Sequence, residues 1–282
     1  MPPFPEEPRM SEFLFWLPVM AGGTVAGASS GLLGAFIVGM RIPFLGVCVA
    51  HAALAGAVFG SLMGFDGQAL LVPALAGALV AALALGVVDP HQFHLGDNTT
   101  LGFLFSLTMG LAFLGIGLHG IWGRSDSAVR SMMWGSLNFC RWADVRVMLA
   151  GGGFLAAYVL VFFKELRAIM FSRDAAKASG VRTEIIWPAF LVAAALVLTV
   201  NFQSVGGLMI YSLICNPAAA AIQLAKGFRK VIVLSSLLGA LSGLGGFLIS
   251  WWTDLPTGAV IVLFSSLVLA IASLCRRLAR PL

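Results

Sequence analysis

Charge is scarce in this chain. Asp, Glu, Lys and Arg make up 10% of its 282 residues, against roughly 25% in soluble domains, while apolar residues make up 60%. That balance excludes an ordinary soluble globular domain. A bilayer crossing takes about 20 consecutive apolar residues, and runs of that size recur from end to end. The chain therefore reads as an all-α, polytopic integral membrane protein surrounded by membrane lipid. Its net charge of +5 is not a nucleic-acid footprint. The basic residues lie between hydrophobic runs, where cytoplasmic loops of membrane proteins collect them, so no nucleic acid is expected among its partners.

Other absences narrow the function. There is no HExxH and no GxxxxGK[ST], the signatures of a metalloprotease and of a P-loop ATPase. A GxSxG nucleophile elbow is missing as well. Mid-span carboxylates, which an intramembrane acid–base pair would need, are missing too. The chain does not read as an enzyme. Cysteine is limited to Cys48, Cys140, Cys215 and Cys275, with no CxxC spacing, which fits reduced packing residues better than a disulfide frame or a zinc site. The start, MPPFPEEPRMSE, lacks the positive n-region of a secretory signal, so residues 1–12 are expected to form an uncleaved polar tail.

Apolar runs fall at about 13–40, 44–63, 69–88, 99–122, 147–163, 185–202, 205–225, 231–252 and 257–274. A shorter piece, 131–140, cannot span unaided. If it crosses together with its flanks, there are ten segments and both termini are inside. If it is re-entrant, there are nine and the N-terminus is outside. The transmembrane domain is read as 13–275 and the basic cytoplasmic tail as 276–282. Three basic groups, at 164–182, 226–230 and 276–280, are placed in the cytoplasm by the positive-inside rule, and an even number of spans separates each from the next. On the ten-segment count Arg124 and Arg130 are inside, and the loop with His91, His94 and Asp97 is outside.

Two stretches stand out. The first is 206–221, GGLMIYSLICNPAAAA. Asn216 and Pro217 sit within an apolar run. Proline removes a backbone donor and clashes with the preceding turn, so the helix is expected to kink or open there. The alanines after it would let another helix approach closely. The alternatives are a translocation path and a Pro-kinked packing helix. The second is the interruption at 171–180, FSRDAAKASG, where Ser172 suits a helix N-cap and Gly180 a helix end.

Four motifs in order carry a family resemblance across about 31–274. GLLGAFIVGMRIPFLGVCVAHAALAG, RDAAKASGV, VGGLMIYSLICNPAAAA and Asp254-Leu255-Pro256-Thr257-Gly258 resemble the corresponding stretches in permease subunits of the metal-ion ABC importers for zinc, manganese or iron. MMWGSL at 132–137 is also similar to the related permeases for siderophores and cobalamin. The resemblance implies a homodimer of permease chains with a path between them, in a bacterial-type inner membrane. It further implies cytoplasmic ATPase subunits, which hold the ATP, and an extracellular or periplasmic solute-binding protein. A divalent metal would be the cargo, with no covalently bound cofactor. It implies that 171–180 is a cytoplasmic coupling helix, with Phe171, Arg173, Asp174, Ala176, Lys177 and Gly180 meeting the ATPase.

The chain departs from the family on its second span. The family pattern resembles G-D-x-x-x-H, whereas here Gly46 is followed by Val47, Cys48, Val49, Ala50 and His51. The carboxylate is gone and the imidazole is kept. Imidazole suits zinc, iron and copper, and thiolate favours softer metals. His51 and Cys48, three apart, can share one helical face, and a histidine inside a span is a functional candidate by default. The expected path residues are Val47, Cys48, His51, Asn216 and Pro217, with His51 and Asn216 from both chains forming a polar constriction. His51 would be a transient metal ligand, while His91, His94 and Asp97 would receive metal on the outer side. A chelated metal is an alternative cargo. A stand-alone secondary transporter is a reading from another class, although such folds often carry internal repeats and buried ionisable groups that this sequence does not display.

Overall fold

In lipid every backbone polar group must be satisfied within the protein, which leaves helices or closed barrels as spanning structures. The computed structural model of the chain describes residues 10–87, 97–123, 125 and 137–278, and the regular elements among them are all helical. The long helices are α1 (Met10–Gly39), α2 (Phe44–Leu62), α3 (Leu71–Val87), α4 (Asp97–Ile121) and α5 (Trp142–Val161). Two short helices follow, α6 (Phe163–Phe171) and α7 (Arg173–Ala178). The rest of the bundle is α8 (Thr183–Val205), α9 (Gly207–Leu224), α10 (Phe228–Thr253) and α11 (Thr257–Leu278). Eight of these are long and apolar enough to cross a membrane, and α9 contributes a shorter apolar stretch, Met209–Leu224. Of the short piece expected at 131–140, the described part is a single 3-10 turn, Leu137–Phe139, followed by Cys140.

Glycine sets the closest helix pair. A Cβ built on Gly27 would lie 2.1 Å from the Gly239 carbonyl oxygen, and one on Gly243 would lie 2.0 Å from that of Gly23. Only glycine lets α1 and α10 approach this closely, as small residues do at membrane interfaces. Side-chain hydrogen bonds lock the register: Ser235 Oγ donates to the Gly31 carbonyl (2.5 Å) and Ser236 Oγ to that of Ala28 (2.9 Å). The glycine-rich first run thus packs on protein.

The helix expected to kink or open at Pro217 does not open, since α9 runs through it. The chain turns instead at Gly206, whose φ of 93° ends α8 and starts α9. Proline merely removes one donor, whereas a positive φ redirects the backbone and suits glycine. One turn before Pro217, α1 braces α9, because a Cβ on Gly34 would lie 2.0 Å from the Ile214 carbonyl oxygen. Ala218, Ala220 and Ala221 are fully buried behind it.

The helix ends sort into two sets. At one end Gly39 of α1 meets Met170 of α6 (2.9 Å from a built Cβ to Sδ), and Phe36 packs on Phe228 at the start of α10 (5.1 Å). Gly86, near the end of α3, abuts Pro188 in the first turns of α8. Leu101, in the second turn of α4, accepts a hydrogen bond from Cys48 near the start of α2. At the far end His119 of α4 meets Ser61 of α2 (3.2 Å), and Cys140 packs on Gly22 of α1. Asn138 there accepts a hydrogen bond from Thr257 (2.9 Å). The described basic residues are heavily biased to the α6–α7 end: Arg41, Lys164, Arg167, Arg173, Lys177, Arg182, Lys226, Arg229, Lys230, Arg276 and Arg277, against Arg141 and Arg146 at the far end.

Candidate functional site

Cys48 and His51 do share one face of α2, and that face is turned to α4. Cys48 is fully buried, and its Sγ donates to the Leu101 carbonyl (2.9 Å). The thiol is thus satisfied by the backbone of its own bundle, which is a packing arrangement and not an open ligand position. His51 lies one turn further along, half-buried. Its ring is tilted over Phe105 of α4 (centroids 5.1 Å apart, 35° between planes) and meets Phe202 of α8 edge-on (6.4 Å). Its Nδ1 is buried without a hydrogen-bond partner. A buried polar atom without a partner carries a desolvation penalty of about 1–3 kcal/mol, so its presence between two aromatic rings calls for a compensating interaction. Neutral imidazole is also a metal ligand. Val47, half-buried, occupies the position where the family pattern has a carboxylate.

Asn216 faces elsewhere. Its Nδ2 donates to Ser265 and Ser266 of α11 (3.0 and 3.1 Å). Within one chain, then, His51 and Asn216 are not brought together: the first looks toward α4 and α8, the second toward α11. Nearby on α9, Tyr211 is exposed, one turn before half-buried Cys215. Among the described residues no three His, Cys, Asp or Glu side chains gather as a metal cluster.

The 171–180 segment forms the element expected of it. Ser172 caps α7, accepting from the Ala175 N–H (3.2 Å), and Gly180 takes the positive φ of 84° that ends the turn. Phe171 is 90% exposed, and Asp174 is exposed beside it. Arg173 stacks over Trp187 (5.1 Å). Lys177 pairs with Glu184 (2.5 Å), and this hydrogen bond pushes the ammonium pKa above its ordinary value. Ala176 departs from expectation. It is 2% exposed and turned into the bundle, so it holds α7 in place and offers no surface to a partner.

His91 and His94 lie outside the described residues, and of Asp97 only the backbone, at the start of α4, is described. The helix ends that flank them, near Gly86 and Leu101, belong to the α6–α7 end of the bundle. The expected receiving role of His91, His94 and Asp97 thus falls outside the described side chains.

Two polar groups were missed in the sequence. Asn201 is 1% exposed and donates to Ser29 and Ser30 (3.0 and 3.1 Å), pinning α8 to α1 directly beside Phe202. An amide in an apolar run was the available signal, since such groups are costly in a span. His119, 1% exposed, bridges the Gly115 carbonyl and Ser61 and is a packing residue.

The chain is 26% identical over 266 residues to the manganese transport system membrane protein MntC of Listeria monocytogenes, covering 94% of this chain and 92% of that one. It is 24% identical to the manganese import system permease protein ScaB of Streptococcus gordonii, covering 93% and 92%. Among solved structures, PsaBC from Streptococcus pneumoniae in complex with Fab superposes with a TM-score of 0.79 at 24% identity, covering 93% of this chain and 92% of that one. An inward-facing putative metal-chelate type ABC transporter superposes with a TM-score of 0.69 at 16% identity, covering 98% and 91%. The model of the family described as the ABC 3 transport family matches residues 10–276, almost all of the helical bundle, and the chain belongs to that family.

Proposed function

We propose that the chain is the membrane-spanning permease subunit of a binding-protein-dependent importer for a divalent transition metal, with manganese the first candidate. It is not itself an enzyme, and ATP is hydrolysed on a separate cytoplasmic subunit. The observation that carries the reading is His51: a half-buried imidazole whose Nδ1 is buried without a hydrogen-bond partner, on the helix where the family resemblance puts the metal path. Family membership and the printed functions of the manganese permease relatives support it.

Nine crossings follow if α9 spans together with the Gly206 turn. The α6–α7 end is then cytoplasmic, where most described basic residues lie, as the positive-inside rule requires. The N-terminus is outside. The ATPase grips Phe171 and Asp174 at the exposed edge of the α6–α7 pair, while Arg173, Lys177 and Gly180 shape that edge. A second copy of the chain packs on the polar strip of α9, where Tyr211, Cys215, Asn216 and Pro217 line the path between copies. A solute-binding protein delivers the ion to the far end.

A metal chelate is the second reading. Val47 in place of a carboxylate removes a hard oxygen donor, which weakens the case for a bare hard ion. The test is uptake of radiolabelled manganese, zinc and iron into vesicles carrying the permease, its ATPase and its binding protein. The bare-ion reading expects uptake that depends on His51, with Val47→Asp shifting metal preference or trapping the ion. Uptake of a chelate with none of the free ions would overturn it.

A further inference from the structure

At the α6–α7 end the bundle holds a cleft of about 930 Å³ between the α1–α2 turn and the two short helices. Arg41, Lys164 and Arg167 line it, and no acidic residue does. Arg41 and Lys164 make no ion pair among the described residues, while the Arg167 guanidinium lies over the Phe163 ring (5.9 Å). Three cations around one opening repel one another unless something negative joins them. Among the described residues the acid–base pair at this edge, Lys177 with Glu184, is already closed on itself.

The cleft's level and walls say what that negative group is attached to. Arg41 follows directly on the last turn of α1, and Lys164 stands three residues after the end of α5, so both sit where spanning helices leave the bilayer. Met40 and Met170 supply apolar wall beside the cations. A cleft that combines cations with apolar wall matches an anionic phospholipid, with its phosphate on the cations and its glycerol and upper acyl chain along the methionines. Basic pockets between helices on the cytoplasmic side recognise such headgroups. Arg41 also holds a φ of 63°, a left-handed conformation uncommon outside glycine, and strain of this kind persists where the surroundings impose it.

The geometry points to a structural binding site for one anionic phospholipid, held through its phosphate by Arg41, Lys164 and Arg167. The site steadies the α6–α7 pair from the membrane side. The inference requires the bundle to span a bilayer and is independent of the cargo, so its test uses neither metal nor ATPase.

The test measures thermal unfolding of the detergent-solubilised full chain with added dioleoyl phosphatidylglycerol, the matching phosphatidylcholine, or inorganic phosphate. A ligand at about a hundred times its Kd raises Tm by about 5 °C in a chain of this size. Phosphatidylglycerol should give that rise with the wild type and with Lys230→Gln, a basic residue at the same end outside the cleft. The rise should disappear in a variant combining Arg41→Gln, Lys164→Gln and Arg167→Gln. Should that variant fail to fold, Arg41→Gly keeps the turn, whose φ suits glycine, and should lose most of the rise. An equal rise with phosphatidylcholine, or with phosphate alone, overturns the assignment to an anionic lipid. So does an undiminished phosphatidylglycerol rise in the variants, which would leave the cations to an acidic protein partner.

Discussion

The imidazole of His51 lies over the ring of Phe105, 5.1 Å between centroids, and meets the edge of Phe202 at 6.4 Å. Those two rings come from α4 and α8, so three helices converge on one polar side chain. The two rings flank the imidazole, whose Nδ1 is buried without a partner, and neutral imidazole is the metal-binding form. His51→Ala removes the ligand while leaving the helix intact. Uptake at limiting metal should fall about tenfold or more, the factor that corresponds to a ligand contribution of about 1.4 kcal/mol. Amounts of assembled transporter should be unchanged, as checked by co-purification of the ATPase. Uptake equal to wild type would remove His51 from the path.

The α1–α10 contact gives a prediction that does not depend on function. Gly27→Leu would force side-chain atoms against the Gly239 carbonyl, which already lies 2.1 Å from a built Cβ. Overpacking of this kind costs about 1–3 kcal/mol or more, so Tm in detergent should drop by several degrees. Gly102→Ala is the contrast. Gly102 lies within α4 with nothing within 4 Å of its built Cβ, and alanine is favoured over glycine in helices by about 0.8–1.0 kcal/mol. That substitution should leave Tm unchanged or raise it slightly.

The helical class, the Ser172 cap and the Gly180 turn were legible in the sequence, because each rests on local chemistry: run length, a hydroxyl and a positive φ. What was not legible is set by tertiary partners. Pro217 lies inside a helix that continues through it, with α1 packed on α9 one turn earlier at Ile214. Gly206, in the same stretch, makes the turn instead, and nothing in a Gly-Gly pair says which glycine will do so. Cys48 and His51 were placed correctly on one face. Only the carbonyl of Leu101 and the rings of Phe105 and Phe202 separate the satisfied thiol from the unsatisfied imidazole. The side of His91 and His94 turns on whether the short piece at 131–140 crosses, because one crossing more or less inverts every loop before it.

Coupling to the ATPase should depend on the exposed edge of α6 and α7. Phe171 is 90% exposed, and truncating a large anchor at a docking surface costs about 2 kcal/mol or more when it is a hot spot. Phe171→Ala should therefore reduce ATPase co-purification and uptake together, while the chain still inserts and melts as wild type. Ala176→Lys acts differently. Ala176 is 2% exposed against the bundle, so a lysine there should lower Tm first, with coupling lost as a consequence. Equal stability in both variants, with docking lost in Ala176→Lys alone, would reverse the assignment of the two faces.

The nine-crossing arrangement can be tested by thiol labelling in right-side-out cells. Cys275 is exposed on α11 at the α6–α7 end, and the other three cysteines are buried or half-buried. In a chain with the native cysteines replaced, single cysteines report the side of each helix end. Asp254→Cys lies in the α10–α11 connection, and Arg146→Cys lies in the first turns of α5, both at the far end. Arg41→Cys and Lys230→Cys lie at the α6–α7 end. A membrane-impermeant maleimide should modify the first two in intact cells and the second two only after the membrane is opened. The decisive residue is Arg41. If 131–140 crossed as a tenth segment, the α1–α2 turn would be outside while Lys230 stayed inside. The contact of Gly39 with Met170 of α6 forbids that separation, because two groups that touch cannot lie on opposite sides of about 30 Å of hydrocarbon. Labelling of Arg41→Cys in intact cells, with Lys230→Cys protected, would refute both the nine crossings and the packing of α1 against α6.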